Sequence, residues 1–362
     1  MLEKGKITSV AVFFSLMNVI GATAVVALPG TAARFAGRDA WLVPIVSSIS
    51  GLVVILLVTE LGRRFPGKTL IEYTQEILGS WVGKVIGALY MIFFILISSV
   101  IIREFGELFA TTLMPHTPIL IFHISIVLLA AYSIRSGLEV IGRLSELILP
   151  WVIILYVTVI LFSLQTADFQ RLLPVLENGF SPVLLGSVVT FGWWGEVVVL
   201  AMLLPYLAVP RKGKTIGVWS VLLLSFILIF DAVINTALFG PEAARTVFPS
   251  FMILSEVLVG GFLRIDAVFV IFWMSGILVK LAIFYYAAVL GTAQLLNLSD
   301  YRPVVLPIGV IQTAFSILLF KNSVEIDALR IEAFPVSLYF FEWLLPLALL
   351  LIAIIRGFKP RT

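Results

Sequence analysis

Long runs of apolar residues, separated by short polar joints, dominate the chain. About ten of these runs reach the roughly 20 residues that a helix needs to cross the hydrocarbon core of a bilayer. Joints such as residues 62–68 and 210–214 are rich in charge, proline and glycine. The pattern predicts an all-α membrane protein with ten transmembrane helices, near residues 7–33, 40–62, 83–110, 118–135, 144–164, 181–208, 215–239, 264–292, 303–320 and 335–356.

Two further segments do not fit this series of spans. Residues 69–78 carry apolar and polar side chains at helical spacing, which predicts a helix lying along the membrane surface. Residues 248–259 have a composition typical of a short helix, either capping the outer side of the protein or lying in an ordinary loop.

The sixth apolar run contains a cluster that a plain membrane helix would not carry. Near its middle stand two glycines, two tryptophans and a carboxylate, in Phe191-Gly192-Trp193-Trp194-Gly195-Glu196. A charge at the centre of a spanning helix costs about 2.5–3.5 kcal/mol on insertion scales, and each glycine costs about 1 kcal/mol of helix propensity. Irregular backbone at this depth is tolerated only where protein buries it or where it lines a cavity. We therefore expect a broken helix whose break faces a ligand or an ion.

The first apolar run has an interruption of its own, in Asn18-Val19-Ile20-Gly21-Ala22-Thr23-Ala24, before Pro29-Gly30. Runs one and six each begin a set of five spans, and interrupted helices at corresponding positions are typical of inverted-repeat transporters with a midplane site. The sequence thus predicts one membrane domain over residues 1–362, with repeats at about 7–165 and 181–356. Broken helices 1 and 6 would offer free amides to a carboxylate and free carbonyls to a cation. Alternatively, the small residues of run one only allow close helix packing.

Two charged residues lie deep in other spans. Lys280 has no charged neighbour in its span, so it should face the protein interior and have a partner. It is a candidate for ion or proton coupling, because its ammonium group can replace a bound sodium ion or titrate. A structural ion pair with Glu196, Asp231 or Glu60 is the other interpretation. Asp231, which lies one helical turn before Asn235, is the second coupling candidate.

Other polar residues of the spans have simpler explanations. Ser98 and Ser99 either line a cavity or bond their own helix backbone. His116 and His123 are isolated, and the sequence has no Ser/His/Asp set, zinc spacing or phosphate loop, so we expect neither an enzyme nor a metal or cofactor. Four charged residues near predicted span ends are expected to snorkel or to pair with loops: Glu60, Arg103, Glu104 and Glu107.

Composition supports a membrane protein and excludes other classes. The chain is 61% hydrophobic and 12% charged, against roughly 45–50% and 25% in soluble domains. The formal charge of +3 is too small to indicate nucleic-acid binding, and the lack of cysteine excludes disulfides and thiolate metal sites. No small-residue cleavage site follows the first apolar run, so we expect it to be retained as a span.

Positive charge is distributed unevenly between the two predicted sides of the membrane. About 15 of the 24 Lys and Arg residues fall on the side of the N-terminus and about 7 on the opposite side. By the positive-inside rule, both termini of this integral membrane protein are expected to be cytoplasmic.

Several blocks of the sequence resemble bacterial spore germination permeases, which are the B subunits of germinant receptors. The resemblance covers nearly the whole chain, and the Phe-Pro-Gly-Lys-Thr block at residues 65–69 is its most specific part. The other matching blocks are residues 60–70 with 77–79, 103–105 with 115–118, 136–143, and 298–302 with 307–309.

This resemblance implies more than the residues themselves do. The family belongs to the amino acid–polyamine–organocation superfamily, so a LeuT-type fold is implied. A germinant such as an amino acid, a sugar or a nucleoside would bind in the spore inner membrane, beside an A subunit and a lipoprotein C subunit. The implied pocket falls at Gly21 to Val25, at Ser98, Ser99 and Ile102, at Phe191 to Glu196, and at Lys280 and Tyr285. Glu196 would attract an amino group yet repel a carboxylate unless protonated. The alternative function is a proton-coupled amino acid transporter, which Lys280 and Asp231 would serve.

Overall fold

The computed structural model describes residues 2–3, 5–245, 258–259, 263–264, 266–319 and 334–361, and this part of the chain is almost entirely helical. Two strands of two residues, β1 (Leu258–Val259) and β2 (Leu263–Arg264), pair antiparallel. The helix predicted over 248–259 lies outside the described residues, apart from the two that form β1. The helices are α1 (Ser9–Ala36), α2 (Val43–Arg64), α3 (Leu70–Leu78), α4 (Ser80–Leu108), α5 (Ile119–Arg135), α6 (Leu138–Ser163), α7 (Ser181–Gly195), α8 (Leu200–Leu203), α9 (Gly213–Phe239), α10 (Asp266–Leu295), α11 (Val305–Leu318), α12 (Phe334–Tyr339) and α13 (Leu345–Ile355).

Seven helical segments of the described residues are long and apolar enough to cross a membrane. One of them, Ser9–Arg64, contains both α1 and α2, joined by a 3-10 turn at Gly37–Leu42. Two shorter apolar helices, Ile119–Arg135 and Arg302–Leu318, lie at further predicted spans. The prediction of a helical membrane protein is confirmed. The number of ten spans stays a prediction, because it requires that both shorter helices also cross the bilayer.

Helix α10 is the central helix of the bundle. In its Trp273–Leu295 part, 83% of the most apolar window is buried, and α1, α4, α5 and α6 pack around it. The outer helices instead expose large apolar side chains such as Trp81 and Ile355. Lipid tails solvate such side chains as well as a protein interior does. A charged residue on α10 must therefore find its partners inside the protein.

The predicted surface helix is present as α3. Thr69 caps its first turn reciprocally: Thr69 Oγ1 accepts from the Glu72 N–H at 3.4 Å, and the Glu72 carboxylate accepts from the Thr69 N–H at 2.8 Å. Its apolar side chains Leu70, Ile71 and Ile77 are fully buried. The helical spacing read from the sequence thus corresponds to a helix docked by one face.

Helix α1 is continuous, so the predicted break in the first span is wrong. Residues 21–25 remain α-helical, and Pro29 removes only one N–H from the helix. The small residues here serve packing. A Cβ on Gly21 would lie 3.2 Å from Leu224 Cδ1, and the Ala22 carbonyl accepts from Trp273 Nε1 at 2.7 Å. The interruption in the sequence reflects close helix contact, which glycine and alanine allow.

The sixth span changes its helix type at the predicted place. Helix α7 ends at Gly195, and a 3-10 turn at Glu196–Val199 leads into α8. The Glu196 N–H donates to the carbonyls of Gly192 and Trp194. The chain therefore tightens here and does not unwind. The Glu196 and Leu200 N–H groups, which were expected to be free for a ligand, are paired within the span.

The start of α1 lies beside the end of the sixth span. The Ile7 N–H donates to the Tyr206 carbonyl at 2.9 Å, and the Ala208 N–H donates to the Ile7 carbonyl at 2.9 Å. The first and sixth spans thus run antiparallel, as expected for inverted repeats, although the repeat boundaries stay predictions. At the same end of the bundle the Arg361 N–H donates to the Arg63 carbonyl at 2.9 Å. Both ends of the described chain therefore lie on one side.

Candidate ligand-binding site

Lys280 and Glu196 form a buried ion pair where α10 passes the end of α7. Lys280 Nζ lies 2.6 Å from Glu196 Oε2 and donates to Thr23 Oγ1 at 2.6 Å. Lys280 is fully buried, and Glu196 is 7% exposed. Of the three partners considered for Lys280, Glu196 is therefore the actual one, and Thr23 joins α1 to the pair.

The ion pair is neutral as a unit but retains bonding capacity. Two opposite charges in a low-dielectric interior compensate each other's desolvation only when they stay together. A lysine ammonium carries three N–H donors, and the partners of Lys280 among the described residues engage two of them. The third donor has no partner in the described part of the chain.

A cavity of about 160 Å³ opens beside this pair. Its volume lies below the roughly 300–1,000 Å³ of sites for drug-sized ligands, so it suits a small molecule. The polar residues that line the cavity are Thr23, Glu104, Glu196, Lys280 and Ser337. The remaining wall is apolar and comes mainly from α4, α7 and the last span: Ile92, Phe93, Leu96, Ile97, Val100, Ile101, Val189, Gly192, Trp193, Leu319, Leu338 and Phe341.

Gly192 and Trp193 shape the cavity on the side of α7. A Cβ on Gly192 would run into the Leu338 side chain, with its Cγ only 3.3 Å away. A glycine here therefore lets α12 approach α7 without filling the cavity. Trp193 is partly exposed in the wall, where its ring offers a flat face to an apolar or cationic group.

The structure adds a carboxylate that sequence reasoning missed. Glu342 is fully buried in a π-helical turn at Phe340–Leu344 of the last span. Neither of its carboxyl oxygens has a hydrogen-bond partner among the described residues. It packs against Gly195, the residue before Glu196 in the chain. A Cβ on Gly195 would lie 2.7 Å from Glu342 Cδ. The available signal was a charge inside an otherwise apolar run, which indicates a functional position.

Three residues of the predicted cluster at 191–196 do not line this cavity: Phe191, Trp194 and Gly195. Trp194 is fully buried, and its Nε1 donates to Ser225 Oγ on α9 at 2.8 Å. The Phe191 ring stacks on Trp343 of the last span with an interplanar angle of 1°. These contacts fix α7 against its neighbours, so they position Trp193 and Glu196.

Ser98, Ser99, Ile102 and Tyr285 are buried but also lie outside the cavity lining. The two serine hydroxyls each donate to the carbonyl four residues earlier at 2.8 Å, which was the alternative explanation for them. The Tyr285 hydroxyl donates to the Val305 carbonyl. A role for these four residues in ligand binding stays a prediction.

Gly21, Ala22 and Val25 line a separate cavity of about 40 Å³ between α1, α6, α9 and α10. Ala24 is buried and lines neither cavity. Asn18 also borders the small cavity, and its Nδ2 has no hydrogen-bond partner among the described residues. The space is large enough to hold water. Of the five predicted residues of α1, Thr23 alone reaches the ion pair.

Asp231, the second coupling candidate, does not pair with Lys280. It is buried on α9, where Asn235 Nδ2 donates to Asp231 Oδ1 at 2.7 Å and to the Asp231 carbonyl at 2.9 Å. It lines neither of the two cavities near the ion pair. A coupling function for Asp231 stays untested.

Comparison with known proteins gives a consistent family. A family model described as "Spore germination protein" matches residues 6–324. Spore germination protein KB of Bacillus subtilis (strain 168) is 28% identical over 361 residues, covering 98% of this chain and 96% of that protein. Spore germination protein YndE of the same organism is 24% identical over 353 residues, covering 96% of each chain.

Solved structures of transporters share the fold. MhsT in complex with L-phenylalanine matches with a TM-score of 0.60 at 13% identity, covering 95% of this chain and 98% of that one. Mhp1, a nucleobase-cation-symport-1 family transporter, matches in its closed conformation with bromovinylhydantoin bound, with a TM-score of 0.57 at 17% identity and coverage of 91% and 75%. At these identities the likeness concerns the fold alone, which is the LeuT-type fold that was predicted.

Proposed function

This chain belongs to the spore germination protein family, and we propose that it is the germinant-sensing subunit of a spore germination receptor. A small molecule binds in the cavity beside Lys280 and Glu196, and binding is signalled to partner subunits. The observation that carries the proposal is the buried ion pair in the wall of a small, mostly apolar cavity. A buried pair of this kind is weak evidence for stability, so a binding role accounts for it better.

An amino acid with an apolar side chain suits this site best. Its carboxylate accepts from Lys280 Nζ and its ammonium group donates to Glu196, so the ion pair opens and each charge gains a new partner. Its side chain lies along the apolar wall of α4 and Trp193. The repulsion that Glu196 alone would exert on a carboxylate is offset by Lys280. A sugar or a nucleoside would instead hydrogen-bond to the closed pair.

We extend the proposal to assembly and location. The protein works beside germinant receptor A and C subunits in the spore inner membrane, with both termini on the cytoplasmic side, and it signals without chemical turnover. Family membership supports the assembly. The common side of both chain ends, together with the excess of Lys and Arg predicted there, supports the orientation.

Thermal unfolding of the purified chain tests the site directly. Leucine, valine, glucose and inosine are the probes, and an apolar amino acid is expected to raise the Tm of the wild type. Glu196→Gln should weaken this response at least about tenfold in ligand concentration, since one charge partner is lost. Gly192→Leu should abolish it, because the new side chain fills the cavity beside Leu338.

Glu139→Gln is the matched control, because it makes the same change at an exposed acid that pairs with Arg143. It should leave the response intact. Unchanged responses in Glu196→Gln and Gly192→Leu, with normal protein levels, would remove the proposed site. If only glucose or inosine raised the Tm, the proposed site would stand, and an amino acid would be excluded as its ligand.

A proton-coupled amino acid transporter is the second candidate, and Glu342 is the observation that favours it. A carboxylate that is buried without a partner is costly when charged, and membrane transporters use such groups as proton carriers. Uptake into proteoliposomes under an imposed pH gradient separates the two functions. In a transporter, Glu342→Gln would abolish flux and preserve ligand binding. Absence of flux in the wild type despite confirmed binding would exclude transport.

A further inference from the structure

A second cavity, of about 520 Å³, lies at the end of the bundle where both chain ends meet. It shares no lining residue with the cavity at the ion pair. The end of α2 with its following turn, the end of the sixth span, the start of α9 and the C-terminal residues form its wall. We call it the basic cavity, lined by Thr59, Gly62, Arg63, Phe65, Pro66, Gly67, Lys68, Leu204, Pro205, Pro210, Arg211, Lys214 and Arg361.

Five of the lining residues are basic and none is acidic. Two of the five pair with acids outside the cavity: Arg63 with Glu60 at 3.1 Å, and Lys68 with Glu76. Glu60 is also shared with Arg64. The other three, which are Arg211, Lys214 and Arg361, form no ion pair with an acidic group in the described part of the chain. The cavity therefore holds an excess of positive charge.

The packing of Leu204 brings these charges together from distant parts of the sequence. A Cβ on Gly62 would lie 2.8 Å from Leu204 Cδ1, and a Cβ on Gly213 would lie 2.5 Å from Leu204 Cδ2. Because both positions are glycine, Leu204 fits between α2 and α9. Arg63 and Lys214, each one residue from a glycine, consequently line the same space.

The C-terminal residues complete the wall. The Arg361 N–H donates to the Arg63 carbonyl at 2.9 Å, and the Arg64 guanidinium donates to the Phe358 carbonyl. These bonds hold the Arg361 side chain at the basic cavity, although it lies some 300 residues from the end of α2 in the sequence.

The chemistry of the lining selects a ligand with several anionic oxygens. Guanidinium groups bind phosphate through paired hydrogen bonds, and lysine adds a point charge. The N-terminal end of α9, a helix of 27 residues, begins at Gly213 beside these side chains and contributes the positive end of its dipole. Phe65, Pro66 and Pro205 add an apolar surface to the same cavity. An anionic head on an apolar body matches both features.

We propose that the basic cavity binds a phosphate group, supplied by the head group of an anionic phospholipid. The site is independent of the germinant cavity. Its position at the ends of membrane-crossing helices is the depth at which lipid head groups lie, and basic pockets there recognise anionic lipids. Free phosphate shares the recognised chemistry and is the other source to be tested.

The experiment measures Tm of the purified full chain in neutral phosphatidylcholine nanodiscs with added phosphatidylglycerol. A second arm adds inorganic phosphate at constant ionic strength. Phosphatidylglycerol is expected to raise Tm of the wild type. In Arg211→Gln/Lys214→Gln the phosphatidylglycerol concentration needed for the same shift should rise on the order of tenfold, because two cations near the head group are lost.

The control is Lys212→Gln/Lys359→Gln, which removes two exposed charges from the same side of the protein without altering the lining of the basic cavity. It should respond like the wild type. Arg361→Gln is a second cavity variant on which no helix depends, and it should weaken the response in the same direction. An equal stabilisation by inorganic phosphate would identify free phosphate as the source. Equal phosphatidylglycerol responses in cavity and control variants would overturn the proposal.

Discussion

The energetics of the candidate site depend on how one residue, Lys280, is neutralised. Its ammonium group is fully buried, with Glu196 and Thr23 at 2.6 Å each. Desolvation of such a charge costs several kcal/mol, and the partner carboxylate offsets that cost. Removal of one partner is therefore worse than removal of both, since a single charge would remain in a medium that cannot solvate it.

Lys280→Met is expected to destabilise the folded chain by about 3–5 kcal/mol, because Glu196 is left unpaired. In the double variant Lys280→Met/Glu196→Gln most of this loss should be recovered. Thermal unfolding in detergent measures both. Arg143→Met is the control, as its partner Glu139 is exposed to solvent and the pair contributes little. Equal losses in the single and double variants would contradict a coupled pair.

For a substitution at Glu342 we expect the opposite effect on stability, a gain. Since neither carboxyl oxygen has a partner among the described residues, Glu342→Met removes an unsatisfied polar group and should raise stability by about 1–3 kcal/mol. The comparison is Glu107→Met, at a carboxylate that is also largely buried but is paired with Arg103. That variant should lose stability. If Tm falls in both variants alike, Glu342 has a bound partner such as a cation.

At the scale of elements, glycines set how closely helices approach. Gly83 on α4 faces the backbone of α3, and a Cβ there would lie 2.9 Å from the Gln75 nitrogen and 2.9 Å from the Thr74 oxygen. Backbone atoms inside a capped helix cannot move aside as a flexible side chain can. Because Gly83 has no side chain, the surface helix α3, which follows the Phe-Pro-Gly-Lys-Thr block, can pack directly against α4.

Gly83→Ala should consequently push α3 away from α4. Overpacking of this kind costs roughly 1–3 kcal/mol of stability, and more where only backbone atoms are able to move aside. A fall in Tm of the purified protein measures the effect, and faster proteolysis near residues 65–79 would locate it. Lys84→Ala, at the exposed neighbouring position, is the control and should leave Tm unchanged. A neutral Gly83→Ala would show that α3 is not tightly docked.

For the whole molecule, the testable property is its orientation in the membrane. The chain contains no cysteine, so single-cysteine variants report accessibility without background. Lys359 lies on the side of both chain ends, whereas Glu177 follows α6 and pairs with Arg38 at 3.3 Å, just beyond the far end of α1. The two positions are therefore expected on opposite sides of the membrane.

A membrane-impermeant thiol reagent should label Glu177→Cys in intact cells, and Lys359→Cys only after permeabilisation. The unmodified chain is the control for other reactivity. Labelling of Lys359→Cys in intact cells would reverse the proposed orientation. Labelling of both positions from one side would contradict the arrangement of the helices.

The spans follow from local properties of the sequence, which is why they were predicted well. The segments at 83–110, 181–208 and 215–239 correspond to helical segments at Ser80–Thr111, Ser181–Tyr206 and Pro210–Phe239. Length and apolarity along the chain suffice for this, because only helices satisfy their backbone within lipid. An irregularity at Glu196 was also predicted, because glycines and a carboxylate disfavour a regular apolar helix at that point, but it was expected as a break and is a 3-10 turn.

The tertiary structure decided which residues meet. Lipid-facing and buried positions are equally apolar here, so the sequence gives little indication of how each helix is rotated. Whether Lys280 pairs with Glu196 or Asp231, whether Gly21 breaks a helix or packs a neighbour, and where Glu342 lies all depend on that rotation. The sequence by itself determined the spans and the positions of their charges. Only the packing of the helices determined that Lys280, Glu196 and Thr23 share one site, because side chains distant in sequence meet only once their helices are fixed in relative rotation and depth.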